Sequence, residues 1–270
     1  MENTYIAEFY TNNDEDPRLA SRHGSVEFLT TMRYIDKYLR EGDRVIEIGA
    51  ATGRYSHALA RRGYEVDAVE LVERNIEVFR ANTRPGERVT VTQGNALDLS
   101  GFADGTYDIT LLLGPLYHLY NAEDKRRAIS EALRVTKPGG VVFAAYIISD
   151  GVILDEGFKR NNAEITRRFS AGLIDPVTFA ARSGGEEDIF ELVRKEDIDG
   201  LMKGFPAERL HYVATDGYAG HMSKAVDAMD EDTFDLYMRY HFATCERADM
   251  AGMSHHVIDV FRKAAVGGRF

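Results

Sequence analysis

The chain has 270 residues, 44% hydrophobic and 29% charged, with a formal net charge of −11. That length and balance suit one large α/β domain or a domain carrying an inserted cap, and the acidity disfavours nucleic acid as a partner, because it repels phosphates. The lone cysteine, Cys245, excludes an intramolecular disulfide and offers no metal-ligand spacing.

The N-terminus, Met1-Glu2-Asn3-Thr4, is polar and acidic, without a basic n-region or an apolar h-region. The longest apolar runs, such as Val141–Ile148, suit buried strands rather than membrane spans. A cytoplasmic protein is the expectation. Residues 11–17 are too polar to bury a face and read as a flexible segment before a helix. Residues 24–40 then carry Phe28, Met32, Ile35 and Leu39 at helical spacing, with Gly42 past the end.

A regular alternation follows. Val45–Ile48 reads as a strand, Tyr55–Arg62 as a helix closed by Gly63, and Glu65–Val69 as a second strand. Val72, Ile76 and Phe79 mark a helix, Arg88–Thr92 a third strand, and Ile109–Leu113 a fourth, apolar enough to be covered on both faces. Asn121 caps the next helix with Asp124 as a capping-box partner. Lys137-Pro138-Gly139-Gly140 then turns into a fifth strand, Val141–Ile147. Strands alternating with helices at this spacing imply a doubly wound parallel sheet. Beyond Ile148 the rhythm breaks: residues 149–205 read as helical and charged with a glycine-rich turn at Ser183-Gly184-Gly185, Arg209–Ala214 and Val257–Arg262 as strands, and Glu231–Arg247 as an amphipathic helix that could pair across a dimer.

The chemistry concentrates after the first strand, in Glu47-Ile48-Gly49-Ala50-Ala51-Thr52-Gly53-Arg54. Small residues between a strand and a helix let a ligand lie against bare backbone and against unpaired helix N–H groups. Starting from Gly49, Ala51 and Arg54 stand where a dinucleotide fingerprint needs glycine, and no Lys-Ser or Lys-Thr completes a Walker loop. Glu47 at the strand end is unsuited to phosphate and suits a ligand carrying positive charge. Glu70, at the end of strand two, stands where an acidic residue can accept from a ribose diol. Gln93-Gly94-Asn95-Ala96 follows strand three, and Leu113-Gly114-Pro115-Leu116-Tyr117-His118 follows strand four, at the end of the sheet where ligands bind.

In this order, the loop, Glu70, Gly94-Asn95-Ala96, the strand-four exit and Leu133–Gly140 resemble class I S-adenosylmethionine-dependent methyltransferases over residues 40–148. Ala51 replaces the middle glycine of the family loop, and Asn95 replaces its usual aspartate, with an amide oxygen still able to accept from adenine. The resemblance implies a Rossmann-like, mostly parallel seven-stranded sheet. It divides the chain into an N-terminal arm or lid (1–40), a cofactor-binding core (41–148), a substrate cap holding strand six (149–250) and a last strand completing the sheet (251–270). It implies cofactor contacts from Tyr10, Arg22, Glu47, Gly49, Ala51, Gly53, Glu70, Leu71, Asn95, Ala96 and Leu113, with His23 a further candidate on the arm and His118 a candidate general base. Arg22 would hold the cofactor carboxylate as a planar fork.

The implied activity is transfer of a methyl group from S-adenosylmethionine, leaving S-adenosylhomocysteine, to an oxygen, nitrogen or carbon of a small molecule. A non-catalytic binder of the cofactor and a methyltransferase of protein or RNA are the alternatives. The protein would be a monomer or homodimer without a membrane partner. Later aromatics and histidines, among them Tyr146, Tyr212, His221, His241, His255 and His256, are candidates for a substrate pocket. His255 and His256 would alternate faces and not share a metal easily, and no cluster has recognisable metal spacing.

Overall fold

A computed structural model describes residues 4–12, 21–159, 163–185 and 188–265. The stretch 13–20, which includes most of the polar segment before the first long helix, lies outside the described residues.

Helix α1 is Thr4–Asn12 and α2 is Arg22–Asp36. The latter starts where Ser21 accepts from the Gly24 N–H at 3.1 Å, satisfying one of the free donors of a first turn. It ends four residues short of the expected limit, in a turn through Lys37–Leu39. Five parallel strands follow with their intervening helices: β1 (Arg44–Ile48), α3 (Arg54–Ala60), β2 (Glu65–Glu70), α4 (Glu73–Asn82), β3 (Val89–Gln93), β4 (Tyr107–Leu112), α5 (Ala122–Val135) and β5 (Thr136–Ile148). Asn121 caps α5 as its sequence implies, accepting from the Asp124 N–H at 2.8 Å. Strand β5 begins earlier than expected, because Thr136 pairs with Tyr107; Lys137–Gly140 then bulge between that pair and Ile109–Val141, with Gly139 at φ 80°, before the expected strand.

Beyond β5 come a short helix (Ser149–Val152), a π-helical turn (Ile153–Lys159), α6 (Ala163–Ser170), β6 (Leu192–Val193), α7 (Lys195–Met202), β7 (Ala207–Ala214), α8 (Glu231–Thr244) and β8 (His256–Lys263). The helical expectation for 149–205 holds only in part. The described residues of 171–191 are not helical: Gly172 and Gly185 sit at φ 73° and 74°, and Asp175 accepts from the Val177 and Thr178 N–H groups in a tight turn.

The sheet runs β3-β2-β1-β4-β5-β8-β7, with the two-residue β6 adding an eighth strand beside the end of β5. Strand β8 enters antiparallel between β5 and β7. Alternation along the strands separates two apolar layers. Ile46, Ile48, Leu112, Val142 and Ala144 pack beneath α5 and α7, while Val45, Leu111, Val141 and Phe143 pack against α2 and α3. The apolar face of α8, expected to be available to a second copy, packs instead on α2, where Met238, Phe234 and Phe242 meet Val26. Among the described residues, no helix is long and apolar enough to cross a membrane.

Candidate functional site

The carboxyl ends of β1, β2, β3 and β4 open into a cavity of about 1020 Å³. Its floor is the β1–α3 loop. Gly49, at φ 78°, passes so near the strand-four exit that a Cβ would stand 2.6 Å from Pro115 Cδ. Ala51 takes the left-handed region at φ 47°, which L residues other than glycine, asparagine and aspartate seldom adopt. This backbone need explains why glycine suits the position. Ala51 turns its N–H to Glu70 Oε2 at 2.8 Å. Gly53, at φ 89°, opens α3, but a Cβ there would meet the Phe79 ring at 2.5 Å. It faces this packing and is not among the residues lining the cavity.

Two buried carboxylates stand behind the loop. Glu47 accepts from the Ser56 N–H at 2.9 Å and from the Ser56 hydroxyl. Burial pushes its carboxyl up to about 8, against the opposing pull of those bonds. Glu70 accepts from the N–H groups of Ala51 and Val72 and from Asn75 Nδ2, while burial raises its carboxyl. Both line the cavity, as do Leu71, Asn95, Ala96 and Leu113. Asn95 Oδ1 already accepts from the Leu97 N–H at 2.9 Å in a tight turn, which fixes the amide and occupies one of the oxygen's two lone pairs.

The arm closes the cavity from the side. Tyr10 on α1 places its hydroxyl 2.9 Å from His118 Nε2, with the rings edge to face. His118 Nδ1 lies 2.9 Å from the Ile189 carbonyl, so Nδ1 carries the proton and Nε2 accepts from Tyr10. The ring is thus held between the arm and the insert. His23 also lines the cavity and bonds Asp227 through its ring and its N–H.

Arg22 does not reach the cavity. Its guanidinium donates to the Met229 carbonyl, pairs with Glu231 and covers the Phe234 ring, so it ties α2 to α8. Arg54 lines the cavity instead, with its guanidinium 4.6 Å over the Phe28 ring. Its place directly after Gly53, on the first turn of α3, was the signal for it in the sequence.

Across the cavity, the start of β8 brings groups that no motif marked. Asp216 accepts from the N–H groups of His255 and His256 and from the Ser254 hydroxyl, and lies 3.0 Å from His256 Nδ1. Burial works to raise this carboxyl, yet the bond to His256 and the charge of both histidines hold it well below the usual range. Glu27, from α2, stands 3.6 Å from the same ring nitrogen. The two histidines do diverge: His256 joins Glu27 and Asp216, whereas His255 joins Asp155 and His221. Tyr146 lies in the core beneath α5 and α7.

Residues 46–144 match the family model of a methyltransferase domain. The chain is 37% identical to a demethylmenaquinone methyltransferase of Clavibacter sepedonicus over 37% of its own length and 39% of the relative's. It is 35% identical to a ubiquinone biosynthesis O-methyltransferase of Methylocella silvestris over 47% of its length and 48% of the relative's. The chain thus matches less than half the length of these two relatives. Among solved structures, it is similar to a SAM-dependent methyltransferase of Thermotoga maritima, a possible histamine N-methyltransferase. The TM-score is 0.57 at 20% identity, covering 96% of this chain and 99% of that one, which is a likeness of fold.

Proposed function

From the premise that this chain belongs to the class I S-adenosylmethionine-dependent methyltransferase family, we propose that it transfers the methyl group of S-adenosylmethionine to a small molecule held in the same cavity. One observation carries this reading: a single cavity joins the β1–α3 loop, Glu70 and Asn95-Ala96 on one side to Glu27, Asp216 and His256 on the other. Its volume lies at the top of the range usual for ligand sites, roughly 300–1,000 Å³, so it can seat two ligands together. Names of two relatives, a demethylmenaquinone and a ubiquinone-biosynthesis methyltransferase, support a small acceptor.

The residues present suit the cofactor. When bound, S-adenosylmethionine supplies an electrophilic methyl group on a sulfonium. The positive-φ loop admits a ligand against its backbone, and Glu47 presents a carboxylate where an ammonium would stand. Glu70 already accepts from Ala51, Val72 and Asn75, and its Oε2, which takes one of these bonds, is the oxygen assigned to a ribose hydroxyl. Ala96 and Arg54 line the cavity; we assign the Ala96 N–H to an adenine nitrogen and Arg54 to the cofactor carboxylate in place of Arg22. Alignment in a closed site accounts for most of the rate, a contribution worth roughly 7–11 kcal/mol.

Where the acceptor must lose a proton, His256 is the group we assign to take it. Asp216 selects the tautomer protonated at Nδ1, which makes Nε2 the basic atom, as in other Asp–His pairs. His118, clamped between Tyr10 and Ile189, positions the arm.

Incubating the protein with metabolite extracts and isotopically labelled methyl donor should yield one labelled product. Calorimetry with S-adenosylhomocysteine should show binding weakened at least about tenfold by Glu70→Ala, the loss of a charge-assisted bond. Unchanged affinity would sink the ribose assignment.

A further inference from the structure

Beside the cavity, three chain segments bring two histidines and an aspartate to one point. Asp155 lies on the π-helical turn after β5, His221 in the turn that follows β7, and His255 just before β8. One ligand atom from each lies within 4.8 Å of the others. His221 Nδ1 is 3.7 Å from Asp155 Oδ1, and His255 Nε2 is 3.7 Å from Asp155 Oδ2. Such distances are too long for hydrogen bonds. They are close to the spacing of two donors around a shared cation: ligands about 2.0–2.1 Å from a tetrahedral zinc ion stand roughly 3.3 Å apart.

We propose that Asp155, His221 and His255 bind a divalent transition-metal ion, with Zn²⁺ the best match.

The hydrogen bonds around these side chains support this. His221 turns Nε2 to the Met253 carbonyl at 2.7 Å, which leaves Nδ1 as the atom with a lone pair facing Asp155. A ligating histidine commonly donates its other N–H to a carbonyl in this way, fixing tautomer and ring orientation. His255 Nε2 is buried and makes no hydrogen bond among the described residues. The His255 ring is set by Gly220, where a Cβ would fall 2.8 Å from it. Asp155 is fully buried; its Oδ1 faces His221 and takes Lys159 Nζ at 2.7 Å, and its Oδ2 faces His255. Imidazole donors exclude Mg²⁺ and Ca²⁺ as preferred ions, and two nitrogens with one carboxylate oxygen leave a fourth position for water.

The ion would fasten the π-helical turn to the start of β8. His255, Glu156 and Gly220 from these segments form part of the cavity wall, so the metal would stiffen the acceptor side from behind. This inference does not rest on the methyltransferase reading.

The test uses the full chain, stripped with a chelator and titrated with Zn²⁺ by calorimetry, with bound metal counted after gel filtration. One equivalent is expected, with a higher Tm when loaded and at least a hundredfold weaker binding in Asp155→Asn and in the double variant H221A/H255A. Co²⁺ in place of Zn²⁺ should show the visible absorption of a four-coordinate N/O site, lost in the double variant. Circular dichroism and a cooperative thermal transition establish that each variant is folded. Glu27→Gln, in the neighbouring Glu27/Asp216/His256 group, should keep the full equivalent. No uptake by the parent protein, equal uptake by the double variant, or loss of metal in Glu27→Gln would each overturn the proposal.

Discussion

Ala51 is held at φ 47° because the loop must turn its N–H to Glu70, and its Cβ makes that conformation costly. Ala51→Gly should therefore stabilise the protein by about 1 kcal/mol, seen as a Tm rise of about 2–4 °C. Glu47 illustrates a different strain. Its folded carboxyl is raised to about 8, above the unfolded value, so its contribution to stability is full at acid pH and is lost as pH rises through about 8. Glu47→Gln should flatten the fall in Tm of the unliganded protein between about pH 5 and 9. A cationic ligand draws Glu47 into its charged form. Binding of S-adenosylmethionine near neutral pH should then release a proton, measured by calorimetry in buffers of different ionisation enthalpy and abolished in the same variant. Arg22 is tested by contrast: Arg22→Ala should leave S-adenosylhomocysteine affinity within about twofold while lowering Tm, since its partners are Met229 and Glu231. A tenfold loss of affinity would return Arg22 to the site.

At the scale of elements, the loop and the strand-four exit act as one unit, with Gly49 against Pro115. Gly53 serves another junction, the packing of α3 against Phe79 of α4. Gly53→Ala should cost about 1–3 kcal/mol through this overlap, and should lower Tm before it weakens ligand binding. A variant with normal Tm and lost binding would mean that Gly53 faces the ligand after all. Helix α1 reaches the cavity through Tyr10, whose hydroxyl bonds His118. The pairing of α2 with α8 explains why α8 is amphipathic without invoking a second copy: Val26, Met238 and Phe234 bury its face within the chain.

For the whole molecule, the charge of −11 sets long-range behaviour rather than fold. A gel-shift assay with RNA at low salt should show no complex, whereas a salt-dependent shift would favour an RNA acceptor. The parallel core was legible because strands covered on both faces leave continuous apolar runs, such as Ile109–Leu112, between short turns. The order of Glu47, Glu70 and Asn95 along the chain matched their convergence because parallel strands place their carboxyl ends on one edge of the sheet. Strand limits were less legible. Thr136 pairs with Tyr107 ahead of the Pro-Gly-Gly turn, so β5 starts before it, while Lys137–Gly140 bulge out of the ladder with Gly139 at φ 80°.

The sequence by itself determined the doubly wound core, the ligand-binding edge and the residues of the loop. Those depend on chain-local properties: apolar period, glycine backbone freedom and the polarity of a strand end. Only the tertiary structure decided that Arg54 rather than Arg22 faces the cavity, that Asp216 holds His256, and that Asp155, His221 and His255 meet. These groups lie far apart along the chain, and their convergence depends on how the insert folds back over the sheet. No local spacing encodes that path, because packing between distant segments selects it.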